Sequence, residues 1–234
     1  MKNYVKRDKI ISYLKYLANK QVLYVETFNN EYCEGEKNME IDLTKLEPKV
    51  KVMLAGSLMI PIEAIEIFSE DESEEVRVSA AANLNATEKI LDRALKDKVT
   101  AVKVAAIQNL NISGKAIDNA VRENEDNDDV KFCAAKSPKA WGETLDYLSH
   151  DKHPVIKRNV ALNKNTLKKT LVRLANEESD FGILYFVELN ENTPKEEKEK
   201  IRKKLPSGKF AIPPTLESLH EYYERHEEDD YDLD

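Results

Sequence analysis

One basic residue recurs at the same place in five consecutive copies of a short sequence pattern. Because the copies lie at nearly constant intervals, the pattern predicts a row of positive charge along one face of the molecule, with steps of roughly 10 Å, about one helix diameter. A row of this kind can bind an anion, such as nucleic acid or an acidic protein surface. We call this row the basic ladder; it consists of Lys51, Arg77, Lys103, Lys131 and Lys157.

The same ladder has a structural interpretation, which we favour. Each cation can pair with an acid of the loop that precedes its own copy, and the ladder then joins the copies internally. Arg77 is the only arginine of the ladder, so bidentate clamping of phosphates is not expected to be its main use. The acids expected to pair are of the type of Glu74, Glu75, Asp128 and Asp129.

Few other residues of the sequence are of a type that could take part in binding or catalysis. Trp141, the single tryptophan, falls at the start of a predicted helix, where it either anchors a partner or packs on the neighbouring copy, the interpretation we favour. His150 and His153 are too few for a metal site and are expected in an exposed loop. The sequence contains no phosphate-binding glycine loop, nucleophile elbow or Cys–His pair. We therefore predict no catalytic residue, no metal and no cofactor.

The ladder is positioned by an internal repeat. Each copy reads β-branched apolar, Lys or Arg, then small and apolar residues, then Asn or Ser. A turn with a central asparagine and a second apolar face at helical spacing follow in most copies. Helices this short are marginal alone, so stacking of the copies must supply the core. The copies are spaced almost evenly and begin at Val50, Val76, Val102, Val130, Ile156 and, in degenerate form, Ile183.

The best copy, Val76 to Leu91, resembles the leucine-rich repeat variant, a relative of HEAT-like arrays. The resemblance covers roughly residues 50–205 and implies an all-α, right-handed solenoid of about six two-helix repeats with a binding surface but no particular reaction. Members of that family can also carry an iron–sulfur cluster on a cysteine-rich segment. This chain has two cysteines, Cys33 and Cys133, which are too few for a cluster.

The pattern divides the chain into three parts. Residues 1–48 are an N-terminal cap, with a helix from about Lys6 to Asn19 and then either a small hairpin, from Gln21–Phe28 and Met39–Leu43, or a degenerate helical repeat. Residues 49–206 are the solenoid, and its last helix is expected to begin with a capping box of Thr193 and Glu196. Residues 207–234 form an acidic tail expected to be partly disordered.

The last 18 residues of the tail carry the whole net charge of −8. Residues 217–234 hold nine acids and one base, so the rest of the chain has as many bases as acids. Three interpretations stay open: a solubilising tail, a linear motif that docks on a basic partner, or a segment that folds back on the protein's own basic residues. The aromatic candidates for binding are Tyr222, Tyr223 and Tyr231.

These features favour a non-catalytic, cytoplasmic scaffold that binds a protein partner through the solenoid surface and the tail. No apolar run reaches the roughly 20 residues that a membrane span needs, and no signal-peptide core follows Met1. The alternative is a nucleic-acid-binding protein, or a DNA glycosylase of the HEAT-like kind, that uses the basic ladder. The neutral body argues against strong non-specific binding of nucleic acid.

Overall fold

The computed structural model describes residues 4–6, 10 and 40–205 of the chain. Between residues 48 and 204 it contains twelve α-helices of seven to ten residues, arranged as six consecutive pairs. In chain order the pairs are α1 (Pro48–Ala55) and α2 (Ile62–Phe68), α3 (Glu74–Ala82) and α4 (Glu88–Leu95), α5 (Thr100–Gln108) and α6 (Gly114–Glu123), α7 (Asp128–Lys136) and α8 (Gly142–Leu148), α9 (Pro154–Leu162) and α10 (Lys168–Glu177), and α11 (Phe181–Leu189) and α12 (Lys195–Lys204).

The first helices of the six pairs form one row, in which each helix packs on the first helix of the next pair. Small side chains make this close approach possible, since Ala80, Ala81, Ala105 and Ala106 are all buried at the contacts. Each second helix except the last packs against the first helix of the next pair, and α2, α4, α8 and α12 also pack against the first helix of their own pair. Helices of this length are marginal in water alone, so the stacking between neighbours stabilises them. The predicted α-solenoid of six short two-helix repeats is confirmed.

Asparagine side chains hold consecutive repeats together at the turn between the two helices. Asn83, at the C-terminal end of α3, donates hydrogen bonds of 2.6 and 2.9 Å to the carbonyls of Ala55 and Ser57 in the preceding repeat. Its own Oδ1 accepts the backbone N–H of Asn85 and so shapes the turn. The same bonds recur at three further repeats, and we call these residues the asparagine ladder: Asn83, Asn109, Asn163 and Asn190.

A second asparagine, two positions later, adds a more exposed bond between neighbouring turns. Asn85 donates to the carbonyl of Leu58 at 3.0 Å, and Asn111 donates to the carbonyl of Leu84 at 2.6 Å. These turn asparagines therefore also link one repeat to the previous one.

The predicted capping box at α12 is wrong. Pro194 is the residue that precedes the helix, and the hydroxyl of Thr193 donates to the carbonyl of Val187, at the end of α11, at 2.6 Å. Thr193 therefore fastens the turn to the helix before it.

The N-terminal part is described only in places. Strand β1 (Tyr4–Lys6) pairs antiparallel with β2 (Glu40–Asp42), so Lys6 lies in a strand and does not begin a helix. A 3₁₀ turn at Leu43–Lys45 then leads into α1. Ile10 is fully buried against the core of the solenoid. The remaining predictions for Gln21–Phe28 and for most of the expected N-terminal helix lie outside the described residues, and the three-part division of the chain stays a prediction.

Candidate functional site

Four of the five cations of the basic ladder form ion pairs with an acid later in the same repeat, in the loop that follows the second helix. Lys51 Nζ lies 2.8 Å from Asp71 Oδ2, and Arg77 Nε lies 2.6 Å from Asp97 Oδ2. The expected partners were acids of the preceding loop. The actual partners mostly come from the other end of the repeat, because its second helix carries the chain back alongside the start of the first. The other two pairs are Lys131–Asp151 and Lys157–Glu178, each at 2.7 Å.

Arg77 is the most enclosed of the paired arginines, and its side chain is 9% exposed. Its guanidinium forms two bonds to the carboxylate of Asp97 and donates to the backbone carbonyls of Asp71 and Glu72. The hydrogen bond to Asp97 raises the pKa of Arg77. Burial alone would raise the pKa of Asp97, but the bonds from Arg77 and from the backbone N–H of Val99 outweigh it and lower that pKa.

Two ladder positions depart from this scheme. Lys131 contacts Asp151 and, at 2.6 Å, also Asp128, which is the type of preceding-loop acid that the sequence predicts. Lys103 instead donates to the neutral side chain of Asn124. The third repeat therefore keeps the cation but has an amide where the others have a carboxylate.

Exposed apolar side chains concentrate along one edge of the solenoid. We define the turn edge as the six segments that connect the two helices of each repeat with their flanking residues: 56–62, 82–88, 108–114, 136–142, 162–168 and 189–195. Of the eleven large apolar side chains that are exposed in the described part of the chain, eight lie on this edge. They are Leu58, Met59, Ile62, Leu84, Leu110, Trp141, Leu162 and Leu189.

The middle of the turn edge is positively charged. Segments 136–142 and 162–168 contain four exposed lysines and no acid. Lys136 lies over the ring of Phe132, with its Nζ 5.3 Å from the ring centroid. None of the four has a carboxylate within ion-pair distance among the described residues. The lysines are Lys136, Lys139, Lys164 and Lys168.

Trp141 lies on the turn edge and packs on the preceding repeat. A Cβ added to Gly114 would overlap the position of Trp141 Nε1, so the indole covers the first residue of α6 closely. The side chain is nevertheless 46% exposed. The favoured packing role is therefore present, and nearly half of the indole stays open to solvent.

The asparagine ladder is interrupted at one contact, between the third and fourth repeats. The fourth repeat has Ser137 and Lys139 where the second, third, fifth and sixth repeats have two asparagines, and the hydroxyl of Ser137 accepts the backbone N–H of Lys139 at 3.3 Å. No side chain of the described fourth repeat donates to the carbonyl of Ile107, whose equivalents in the other repeats accept an asparagine amide. A cleft of about 210 Å³ opens at this break, and its walls include Ile107, Leu110, Phe132, Lys136 and Pro138.

Cys133 also lines this cleft. The thiol is buried, and burial raises its pKa, so it is a weaker nucleophile than an ordinary cysteine. The amide of Gln108 donates a weak hydrogen bond to the sulfur at 3.8 Å.

Another cleft, of about 510 Å³, opens beside the Arg77–Asp97 pair. Its charged side chains largely pair with one another: Arg93 contacts Glu70, and Arg77 contacts Asp97. The Arg93–Glu70 pair joins the first and second repeats.

The second helices carry a polar network that the sequence does not predict. Asp118 accepts from the hydroxyl of Thr144 at 2.8 Å, and Asp146 accepts from the hydroxyl of Thr170 at 2.6 Å. In each case an acid of one repeat meets a threonine of the next. Both threonines are fully buried, and a regular spacing of acid and threonine is the signal that could have found the network.

The two loop histidines do not come together at a metal site. His153 precedes α9 and its Nε2 lies 2.9 Å from Asp128, and His150 contacts the carbonyl of Asp146. Within the described ranges no three His, Cys, Asp or Glu side chains are grouped so as to hold a metal ion. The tail candidates Tyr222, Tyr223 and Tyr231 lie outside the described residues.

No family model matches this sequence, and no curated protein matches it. Among solved structures, the chain is similar to one described as a leucine-rich repeat variant with a novel repetitive protein structural motif. The two share 18% sequence identity, the match covers 85% of this chain and 83% of the other, and the TM-score is 0.49. The solenoid assignment given above depends on the observed packing of the repeats. None of the helices in the described ranges has the length and apolar character needed to cross a membrane.

Proposed function

We propose that this protein is a non-catalytic interaction scaffold that holds a protein partner along its turn edge. The observation that carries the proposal is the concentration of exposed apolar side chains there, eight of the eleven in the described residues. Apolar side chains that share one surface and are flanked by polar groups are typical of protein-binding sites, whereas scattered ones are not.

The turn edge is also held in place before any partner arrives. The bonds of Asn85 to Leu58 and of Asn111 to Leu84 join neighbouring turns directly. A surface that is already ordered loses little conformational entropy on binding, and affinity gains from this. Leu84 and Leu110 therefore offer a ready contact area.

The charge of the edge selects the partner. Lys136, Lys139 and Lys164 are exposed without a nearby described carboxylate, so an acidic segment with apolar side chains is the complementary ligand. A nucleic-acid function has less support, because most of the basic ladder is already paired with acids, as at Arg77–Asp97. Paired cations leave little charge for a phosphate backbone.

The test is capture of partners on the immobilised full chain from an extract of the cells that produce it. The edge variant carries Leu84→Glu and Leu110→Glu, two side chains that are 49% and 62% exposed, so the fold should tolerate both changes. The matched control is Val155→Glu, which is 40% exposed and lies away from the turn edge. We expect the edge variant to lose a partner that the parent and Val155→Glu retain. If all three retain the same proteins, the turn edge is not the binding surface.

A further inference from the structure

The break in the asparagine ladder leaves one contact of the described solenoid without the hydrogen bonds that join the other repeats. At the other contacts an asparagine amide satisfies buried carbonyls, such as that of Ala81 by Asn109. At the break Ser137 is too short to do so, and the equivalent carbonyl, that of Ile107, receives no donor from the described fourth repeat. A hydrogen-bonding pattern that is kept at the other contacts between repeats and lost at one contact is characteristic of a functional site.

The residues that line the cleft at the break indicate which kind of ligand would fit it. Leu110, Phe132 and Pro138 provide apolar walls, and Ile107, whose carbonyl lacks the asparagine donor found at the other contacts, also lines the cleft. Lys136 stands at the rim with its charge exposed. The matching ligand is a flat apolar ring that carries a hydrogen-bond donor and is followed by acids, which describes a tyrosine in an acidic segment.

We propose that this cleft binds the chain's own acidic segment Glu217–Asp234, with the ring of Tyr222 or Tyr223 between the apolar walls and its hydroxyl donating to the carbonyl of Ile107. The proposal rests on the proposed function of the turn edge and names one occupant of it. Bound there, the segment stands in for the missing asparagine amide. It also competes with an acidic partner for the same lysines.

Charge complementarity supports this occupant. The segment holds nine acids and one base, whereas residues 136–142 hold Lys136 and Lys139 and no acid. The nearer basic helix α12 is a competing site, and two of its cations are already paired with acids of α11 and α12. Lys200 pairs with Glu197, and Arg202 pairs with Glu188.

The length of the chain allows the contact. The described solenoid ends at Leu205, and the chain from there to Tyr222 covers about 3.3 Å per residue when extended, so its reach is about 55 Å. The cleft lies between the third and fourth repeats, two to three repeats back. At about 10 Å per helix layer this separation is about 25 Å.

The experiment is zero-length carbodiimide cross-linking of the dilute full chain, with the linked peptides mapped by mass spectrometry. We expect monomers in which Lys136 or Lys139 is joined to acids of the segment, such as Glu221 or Glu224. Ser137→Asn restores the amide donor to Ile107 and fills the cleft without removing either lysine. It should cut the yield of these links about tenfold, the equivalent of about one hydrogen bond.

Two further variants test whether the open cleft and the tyrosine hydroxyls are responsible for the cross-links. Ser137→Ala leaves the cleft open and should keep the links. Tyr222→Phe with Tyr223→Phe removes only the hydroxyls, outside the solenoid, and should lower the yield without disturbing the fold of the repeats. Equal yields in the parent and in Ser137→Asn would overturn the proposal, as would links only to α12 or only within dimers. If the segment fails to link but Leu84→Glu with Leu110→Glu still abolishes partner capture, the scaffold function stands and this occupant is wrong.

Discussion

The side-chain amide of Asn109 donates a 2.8 Å hydrogen bond to the carbonyl of Ala81, in the repeat before it. A second bond of 2.8 Å runs to the carbonyl of Asn83, whose own side chain reaches back one repeat further. Each asparagine therefore satisfies carbonyls at a helix end and fixes the register between two repeats. Since both groups are buried, water cannot replace the bond when it is lost.

Replacing Asn109 by alanine should destabilise the solenoid by about 2–3 kcal/mol, because two buried carbonyls lose their donor. Urea denaturation followed by circular dichroism measures the loss. The matched control is Asn111→Ala, whose bond to Leu84 is exposed to water and should cost less than about 1 kcal/mol. Equal losses in the two variants would contradict the argument from burial.

Arg77→Ala should cost about 3 kcal/mol, because it leaves the carboxylate of Asp97 and two backbone carbonyls without their partner in a largely buried site. Lys103→Ala is the matched control at the same repeat position. It removes a bond to the neutral Asn124 and should cost about 1 kcal/mol or less. The measurement is the free energy of unfolding of each variant, compared with that of the parent under the same conditions. A loss at Lys103 as large as that at Arg77 would show that the pairing with an acid is not what stabilises the ladder.

The solenoid was predictable because its signal is periodic. A cation such as Arg77 recurs in five of the six repeats and an asparagine such as Asn83 in four, and two short helices separated by a turn are the simplest structure for that spacing. The structural interpretation of the ladder was also available from the sequence. The sequence predicts partners in the preceding loop, which holds only for Lys131 and Asp128. The other pairs join the two ends of a repeat, and this depends on how the second helix returns, which local sequence does not specify.

The candidate site was only partly predictable. The row Leu58, Leu84 and Leu110 has a visible period, but an apolar residue in a turn cannot be recognised as exposed until the direction of its side chain is known. Trp141 was recognisable as unusual, while its contact with Gly114 was not, because it joins different repeats. The break at Ser137 could have been noticed as a departure from the asparagine pattern. The cleft beside it depends on the packing of Phe132 and Leu110.

Acid should destabilise the protein through carboxylates that are paired in the folded state. The pKa of Asp97 is lowered in the fold: its bonds, above all that from Arg77, outweigh the opposing effect of burial. A group whose folded pKa lies below its unfolded value contributes stability above the unfolded pKa, about 3.9 for aspartate, and loses it as the pH falls through the folded pKa. We therefore expect a melting temperature that changes little from pH 7 to 5 and falls below about pH 4.

The variant Asp97→Asn measures how much the charged carboxylate of Asp97 contributes to the stability of the fold. It should be less stable than the parent at pH 7, and the gap should shrink as the pH falls below about 4, because the parent then loses its own charged form. Thermal melts of both proteins across this pH range provide the measurement. A gap that stays constant with pH would mean that the charge of Asp97 contributes nothing.

Two glycines allow the contact of Trp141 to be tested with one type of substitution. In Gly114→Ala the new Cβ would overlap the indole and come within 2.7 Å of the carbonyl of Lys139, so both Trp141 and the backbone must shift. We expect a loss of about 1–3 kcal/mol and, since Trp141 is the single tryptophan, a red shift of the intrinsic fluorescence as the ring moves into water. In Gly56→Ala the nearest atom is 3.6 Å away and the backbone conformation is an ordinary one. That control should leave the fluorescence unchanged and stabilise the protein by up to about 1 kcal/mol, because alanine restricts the unfolded chain. If Gly114→Ala also leaves stability and fluorescence unchanged, Trp141 is not held against α6, and its exposed half is then free to move as part of the turn edge.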